Sequence, residues 1–400
     1  MKRVILGIVV LLLNIIYLPF KIFPRKNRIT FISRQSDKPT VDFILLENEI
    51  KTLISNYDNE SIGQAELKNR NSTNKIETVM LCKKINNGIC GKISYGFHIF
   101  AQMKSIAQSK VVIIDGYCIT ISVLKHKKGL EVVQIWHALG AIKKFGYSVI
   151  GKKEGSSEAM AKGMKMHKNY TRVYVSSEYV KDDFAKAYNV SRDILKVNPL
   201  PIVDLLRDSN YKSEKQECIF EKYPELKGTE RLNVVYAPTF RTEESDFSPI
   251  YNLANAIEKS KYNLIIKVHP LVDFSDQIKG VIVDKEFSTQ DMMMLADCMI
   301  SDYSAIAFDG AIMDIPMGYY VYDFERYTKN RDFNIDYMNE MPGMIFKDPK
   351  DINKAIEDSD SVKFSDMRRG FLKKYISLTE EKQATRIAND ILGLIGFLTE

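Results

Sequence analysis

From residue 29 onward, short apolar runs alternate with longer stretches of mixed polarity. The runs ITFIS (29–33), TVMLC (78–82), VVIID (111–115), VVQIW (132–136), RVYVS (172–176) and ILKVN (194–198) are rich in β-branched and aromatic residues. Each is short enough to predict a strand. Segments long enough for a crossover helix, such as residues 96–109 and 178–188, separate several of them. Strands alternating with helix-length segments predict a parallel sheet covered on both faces. A second series follows: NVVYA (233–237), LIIKV (264–268), VIV (281–283), CMIS (298–301) and MGYYVY (317–322). The polar stretch 208–230 reads as the junction between the two series, and residues 55–75 read as helix ends and loop. In the tail, Phe371, Ile376, Ile387, Ile391 and Leu394 fall at helical spacing and predict one or two packing helices.

Four hundred residues exceed what one core usually organises. The expected organisation is α/β, with two Rossmann-like domains at 29–207 and 208–365, packing helices at 366–400, and a distinct segment at 1–28. Within that segment residues 4–20 are almost continuously apolar, interrupted by Asn14 and closed by Pro19. Lys2 and Arg3 precede the run; Lys21, Arg25, Lys26 and Arg28 follow it. Such a length is at the lower limit for crossing a bilayer, and no small-residue cleavage site follows. The larger basic cluster on the C-terminal side keeps the body in the cytoplasm. Membrane attachment, by an interfacial helix or a short span, is therefore expected; the alternative is a first buried strand and helix of the N-terminal domain.

The formal net charge of +6 suits anionic substrates or an anionic lipid surface and gives nucleic acid little support. Five cysteines, Cys82, Cys90, Cys118, Cys218 and Cys298, are odd in number and lack CxxC spacing. They read as reduced core residues, with neither a disulfide framework nor a zinc site.

In open parallel sheets, ligands gather beyond the carboxyl ends of the strands. Four such places carry candidate chemistry. After VVQI comes Trp136-His137, with Lys143 and Lys144 shortly beyond; His137 is either a general base or a structural histidine, and the lysines suit phosphate oxygens. After VVYA come Thr239 and Arg241, whose guanidinium fork suits phosphate or pairs at the surface with Glu243 or Glu244. His269-Pro270 follows LIIKV and matches the position of His137 in the other half. In MISDYSAIAFDGAIM, Asp302 and Ser304 lie between a strand and an amphipathic helix. Ser304 and the amides near Ala305 and Ile306 then form an anion site at a helix N-terminus, or Asp302 or Ser304 is a plain N-cap. Asp309, further along the helix, reaches a ribose hydroxyl or faces solvent.

Together these places resemble the CDP-glycerol glycerophosphotransferase family, bacterial enzymes that build teichoic acids and related capsule polymers. The likeness runs from about Val111 to Gly343. It rests on Trp136-His137 with Lys143 to Gly146, on Tyr236 to Arg241 with Phe240 where the family has Trp, and on His269-Pro270. It continues through Ala296-Asp297, Ser301 to Ala305, Phe308-Asp309, and Tyr322-Asp323 through Asp336-Tyr337 to Pro342-Gly343. The resemblance implies a glycosyltransferase-B type fold, with the donor nucleotide in the C-terminal domain and the acceptor entering from the N-terminal one. It implies that His137 deprotonates the acceptor hydroxyl. His269, Ser304 and neighbouring amides would hold the diphosphate and stabilise leaving CMP, Thr239 and Arg241 would line the phosphate pocket, and Asp309 would bind the ribose. Asp302 and Ala305 are counted with the diphosphate site, and Lys143 and Lys144 with acceptor or phosphate contacts. Three positions depart from the pattern: Ala305 replaces a second Ser, Ile202 stands where a Pro-Arg-x-Asp arginine is usual, and Ala138 replaces a common Gly.

The reaction so implied is transfer of glycerol phosphate from CDP-glycerol to a hydroxyl of a polyprenyl-linked saccharide or polymer at the cytoplasmic face of the membrane. No cofactor is expected; Mg is open but not indicated, since no HxxxH, close cysteine pair or dense carboxylate cluster occurs. The rivals are a CDP-ribitol donor, a nucleotide sugar on the same fold, and a non-catalytic membrane scaffold. The modest length resembles priming members more than longer polymerases.

Overall fold

The computed structural model describes residues 2–62, 75–85, 88–153, 155–239, 246–268, 274 and 277–397. The chain forms two compact units, one of Met1–His137, Phe145–Ile202 and Ser377–Glu400, the other of Ala138–Lys144 and Val203–Ile376.

In the first unit, β1 (Arg28–Ser33), β2 (Glu77–Cys82), β3 (Val111–Ile114), β4 (Glu131–Gln134), β5 (Arg172–Val175) and β6 (Leu195–Val197) form one parallel sheet in the order β2-β1-β3-β4-β5-β6. Every residue of β1 and β3 is buried, as expected for central strands covered on both faces. The chain leaves β1 for an outer position, β2, and returns to the other side at β3, so the topology reverses between β1 and β3. Helices Val41–Ile62, Ile89–Gln108 and Gln383–Ile395 belong to this unit. The last buries Ile387, Ala388, Ile391, Leu392 and Ile395 at helical spacing and packs against Val41–Ile62. Gly396 closes it in the left-handed region (φ 75°), donating its amide to the preceding turn.

The second unit repeats the design. Strands β7 (Leu232–Tyr236), β8 (Tyr262–Ile266), β9 (Val281–Val283), β10 (Cys298–Ser301), β11 (Met317–Tyr320) and β12 (Met344–Phe346) run parallel in the order β12-β11-β10-β7-β8-β9. Here the reversal lies between β7 and β10. One face of the sheet is sealed by Leu253, Ile352 and Ala355, all fully buried.

Several expectations are corrected. Residues 208–230 hold the helix Ser209–Lys222, N-capped by the Asp208 carboxylate. Ile219 is its one buried residue, so little apolar periodicity announced it. Strand β12 is three residues long at a sheet edge and carried no distinguishable run. Helix Ile306–Ile312 is buried from Ile306 through Ala311, so it is a central helix rather than an amphipathic one. Cys118 and Cys298 are buried, but Cys90 and Cys218 are exposed on helices; all five are free thiols.

The N-terminal run forms the helix Lys2–Tyr17 and a 3-10 turn, Leu18–Ile22. Val10 and Tyr17 are buried, whereas Val4, Ile5, Ile8, Leu11, Leu12 and Ile15 are each more than half exposed. The alternative of a buried first strand and helix is thereby excluded. The helix and turn together are long and apolar enough to cross a membrane by length and composition.

Candidate active site

In the first unit the site grows from the ends of β1, β3 and β4, at the point of topological reversal where open α/β sheets bind ligands. After β4 the strand stops because Trp136 adopts φ 65°, a left-handed conformation that is strained for a bulky residue. Its amide donates to Gln134 Oε1 at 2.8 Å, and its indole stacks on Phe145 with a centroid separation of 4.4 Å. Phe184 and Tyr188 contact the indole edge-on. This reversal of the backbone turns His137 toward the end of β3, where its Nδ1 lies 2.8 Å from the Asp115 carbonyl oxygen. A carbonyl only accepts, so Nδ1 carries the hydrogen and Nε2 keeps its lone pair. Gln35, just after β1, brings its side-chain amide to 3.3 Å from the same Nδ1.

The His137 side is open to solvent, yet the protein mass around the ring pushes its pKa below the ordinary histidine value; the Asp115 hydrogen bond opposes this and the Arg34 charge adds to it. The imidazole is therefore neutral at neutral pH. The Asp115 side chain itself is buried, with Oδ2 unpartnered among the described residues. Desolvation pushes its pKa up to about 6, against the opposing effects of Ser33 and Arg34.

In the second unit the reversal point is bridged by side chains. The buried Asp302 carboxylate, just after β10, accepts the Thr239 amide at 2.9 Å and also the Thr239 hydroxyl, just after β7. Ser301 Oγ donates to the Ala237 carbonyl at 2.8 Å, and the Tyr337 hydroxyl donates to the Asp302 carbonyl at 2.8 Å. By accepting both groups the Asp302 carboxylate holds Thr239 in place. Ser304 Oγ accepts the Ile306 amide at 3.3 Å, while Ser304 and Ala305 stay partly exposed. Asp309 is buried and accepts from Gln290 Nε2 at 3.1 Å, so it does not face solvent. At the end of β8, Lys267 is locked in a buried ion pair with Asp284, whose other oxygen accepts the Tyr223 hydroxyl at 2.7 Å. His269 lies two residues further on; His269 and Arg241 are outside the described residues.

Residues 138–144, which directly follow His137, belong to the second unit. The Asn334 amide bonds the Ile142 carbonyl at 2.8 Å, its side chain donates to the carbonyls of Ala141 (3.0 Å) and Lys143 (3.3 Å), and the Lys144 amide bonds Asp332 at 2.8 Å. Gly140 packs so tightly that a Cβ there would lie 2.6 Å from the Phe308 ring. Lys144 pairs with Asp332 at 3.6 Å and Lys143 lies over the Tyr327 ring. Among the described residues no group of three or more His, Cys, Asp or Glu is placed to hold a metal ion.

A model of the CDP-Glycerol:Poly(glycerophosphate) glycerophosphotransferase family matches residues 16–393. The chain belongs to this family. It is 29% identical over 332 residues to the teichoic acid ribitol-phosphate primase of Bacillus spizizenii, covering 80% of this chain and 84% of the relative. It is 28% identical over 272 residues to the teichoic acid glycerol-phosphate primase of the same organism, covering 66% and 70%. Against the teichoic acid poly(ribitol-phosphate) polymerase of that organism it is 29% identical but spans 52% of the relative's length. The wall teichoic acid polymerase TagF superposes with a TM-score of 0.69 at 16% identity, covering 98% of this chain and 95% of the other. A UDP-GlcNAc 2-epimerase from Methanocaldococcus jannaschii does so at 0.54 and 12%, covering 92% and 99%. At such identities the likeness is one of fold, a GT-B-like arrangement of two parallel α/β sheets.

In this member of the family, sequence reasoning singled out His137, Thr239, Asp302, Ser304 and Asp309; the structure sets the first four one to three residues beyond a strand end of their unit and Asp309 within the buried helix Ile306–Ile312. It passed over Asp115, Gln35, Gln290 and Asn334. The first was legible, since Asp115 ends the apolar run VVIID where ligands gather. The other three carry no signal in the sequence, because each matters through a partner distant in the chain.

Proposed function

We propose that this member of the family moves glycerol phosphate from CDP-glycerol to a hydroxyl of a lipid-linked acceptor at the cytoplasmic face of the membrane, in teichoic acid or related cell-surface polymer synthesis. The observation that carries the reading is the state of His137: neutral, with Nδ1 committed to a carbonyl and Nε2 available to take a proton. In the reaction the acceptor O–H bond breaks, the proton passes to His137 Nε2, and the oxygen bonds to the β-phosphorus of the donor. The bond from that phosphorus to the bridging oxygen breaks and CMP departs with the electron pair, leaving a phosphodiester. His269, Arg241, Thr239 and the amides at Ser304 and Ala305 would hold the diphosphate, and Asp309 the ribose. Lys143 and Lys144 would add positive charge. Positioning and charge stabilisation supply most of the acceleration in such a transfer.

CDP-ribitol is the second reading, favoured by the relative covered at 84% of its length being a ribitol-phosphate primase. CMP release is measured from CDP-glycerol and CDP-ribitol with a lipid-linked acceptor, for wild type, His137→Ala and His269→Ala. CMP from one donor, lost in both variants, supports the class and names the donor. No CMP from either overturns it.

A further inference from the structure

We infer that Arg34 is the anion-binding residue of the acceptor site, taking a phosphate that the acceptor carries beside the hydroxyl deprotonated by His137. The favoured acceptor is then one whose reacting hydroxyl belongs to a phosphorylated polyol, not to a neutral saccharide. The inference rests on the proposed reaction and adds the residue and the chemistry by which the acceptor is chosen.

Arg34 directly follows β1, at the strand ends from which the His137 site grows. The turn that carries it is fixed by its own side chains: the Gln35 amide donates to Ser33 Oγ at 3.1 Å and the Lys38 amide to Ser36 Oγ at 3.0 Å. The neighbouring Gln35 side chain reaches His137 Nδ1. The Arg34 guanidinium carbon lies 5.4 Å from the centroid of the Tyr117 ring, two residues beyond the Asp115 carbonyl that orients the imidazole. Arg34 and His137 are thus both held against the same stretch of chain after β3. The Arg34 charge lowers the pKa of His137 and of Asp115 alike, as a cation close to both does.

Tyr117 is a fixed platform. Its hydroxyl donates to the Met164 carbonyl at 3.3 Å, and its ring meets that of His167 edge-on with a centroid separation of 5.6 Å. His167 is itself buried and held by the Tyr170 hydroxyl, 2.8 Å from Nδ1. Stacking on a ring secured in this way restricts the guanidinium while leaving its N–H fork free to bond, so less side-chain entropy is lost when an anion arrives.

The chain supplies that fork with no anion. Among the described residues the Arg34 side chain makes no ion pair and donates no hydrogen bond, and it is exposed. Arg28, Arg172 and Arg368, by contrast, each pair with a carboxylate. The carboxylates nearest in sequence, Asp37 and Asp42, accept the amides of Lys84 and Ile202 instead. An uncommitted planar cation beside a general base selects a substrate group with paired anionic oxygens, as a phosphate has. In the proposed reaction the donor diphosphate falls to residues of the second unit, which leaves the acceptor to bring this one. A sugar hydroxyl has no phosphate on its own residue; the terminal hydroxyl of a polyol phosphate has one within a few bonds.

The test compares glycerophosphoglycerol with diglycerol, in which an ether replaces the phosphodiester, on full-length wild type, Arg34→Gln and Arg34→Lys. Binding without donor is followed by calorimetry and by the fluorescence of Trp136, whose ring centroid lies 4.0 Å from that of His137. Wild type is expected to bind glycerophosphoglycerol about tenfold or more tightly than diglycerol, and less tightly as salt rises. Arg34→Gln should lose that preference and Arg34→Lys should keep part of it, as a point charge without the fork. Both should melt as wild type does, since the side chain is exposed. In turnover the KM for glycerophosphoglycerol should rise about tenfold in Arg34→Gln, by more than kcat falls. Equal binding of the two compounds by wild type, or an Arg34→Gln variant that binds glycerophosphoglycerol as wild type does, overturns the inference. So does a fall in kcat at unchanged acceptor KM, which would put the guanidinium on the phosphoryl group in transit. Absence of CMP release from either donor, with Arg34-dependent binding intact, would instead count against the proposed reaction and leave the anion site standing.

Discussion

Replacing Asp115 by Asn should stabilise the first unit at high pH and hardly at all in acid. Asp115 is 2% exposed, and burial raises its pKa from 3.8 to about 6. For an acid raised in the folded state, the favourable contribution is complete below the unfolded value and is lost as pH rises through the folded one. Above about pH 6 the folded protein carries an ionised carboxylate with one oxygen unpartnered among the described residues. The shift corresponds to about 3 kcal/mol of destabilisation at pH 8 and about half a kcal/mol at pH 4. Asn has the same shape and no charge, so Asp115→Asn should gain up to about 3 kcal/mol at pH 8, roughly 6–12 °C in melting temperature for a unit of this size. The assay is urea unfolding at pH 4, 6 and 8 followed by Trp136, the one tryptophan of the chain and part of the first unit, so its fluorescence reports that unit. Equal stabilisation at pH 4 and pH 8, or destabilisation at pH 8, would refute the argument.

Other substitutions probe the site. The acid limb of kcat/KM for CMP release should have its midpoint below 6.5, because burial lowers the His137 pKa; a midpoint above 7 would exclude His137 as the base. Gly140→Ala should destabilise the second unit by about 1–3 kcal/mol, since the Phe308 ring it meets is itself stacked on Phe371; calorimetry checks this, and Phe308→Leu in the same chain should restore most of the loss. Asn334→Ala leaves the Ala141 and Lys143 carbonyls without its amide, at a cost of about 1–3 kcal/mol, and should open residues 138–144 to limited proteolysis. Thr239→Val keeps the backbone bond to Asp302 but deletes the hydroxyl that the buried carboxylate accepts; the second unit is expected to lose about 1–3 kcal/mol, read by calorimetry as a lower melting temperature.

The sequence by itself determined the parallel α/β class and most strand positions, because central strands of a doubly covered sheet are mostly apolar and are bounded by helix-length segments. It also determined the family, since Trp136-His137, Pro238-Thr239 and Ser301 to Ser304 lie at strand ends where chemistry is local to a few neighbours. The tail helices were legible for the same reason, from the spacing of Ile387 and Ile391. Short or polar elements escaped: β12 is too brief to show a period, and helix Ser209–Lys222 buries one side chain. Tertiary structure alone decided that residues 138–144 join the second unit, because the groups that hold them, Phe308, Asp332 and Asn334, lie more than 160 residues away. It decided the tautomer of His137, which depends on a carbonyl of another strand, and the raised pKa of Asp115, which depends on what surrounds it. Periodicity reports only which neighbours along the chain share a face; hydrogen-bond partners and burial are fixed by contacts between residues far apart in sequence.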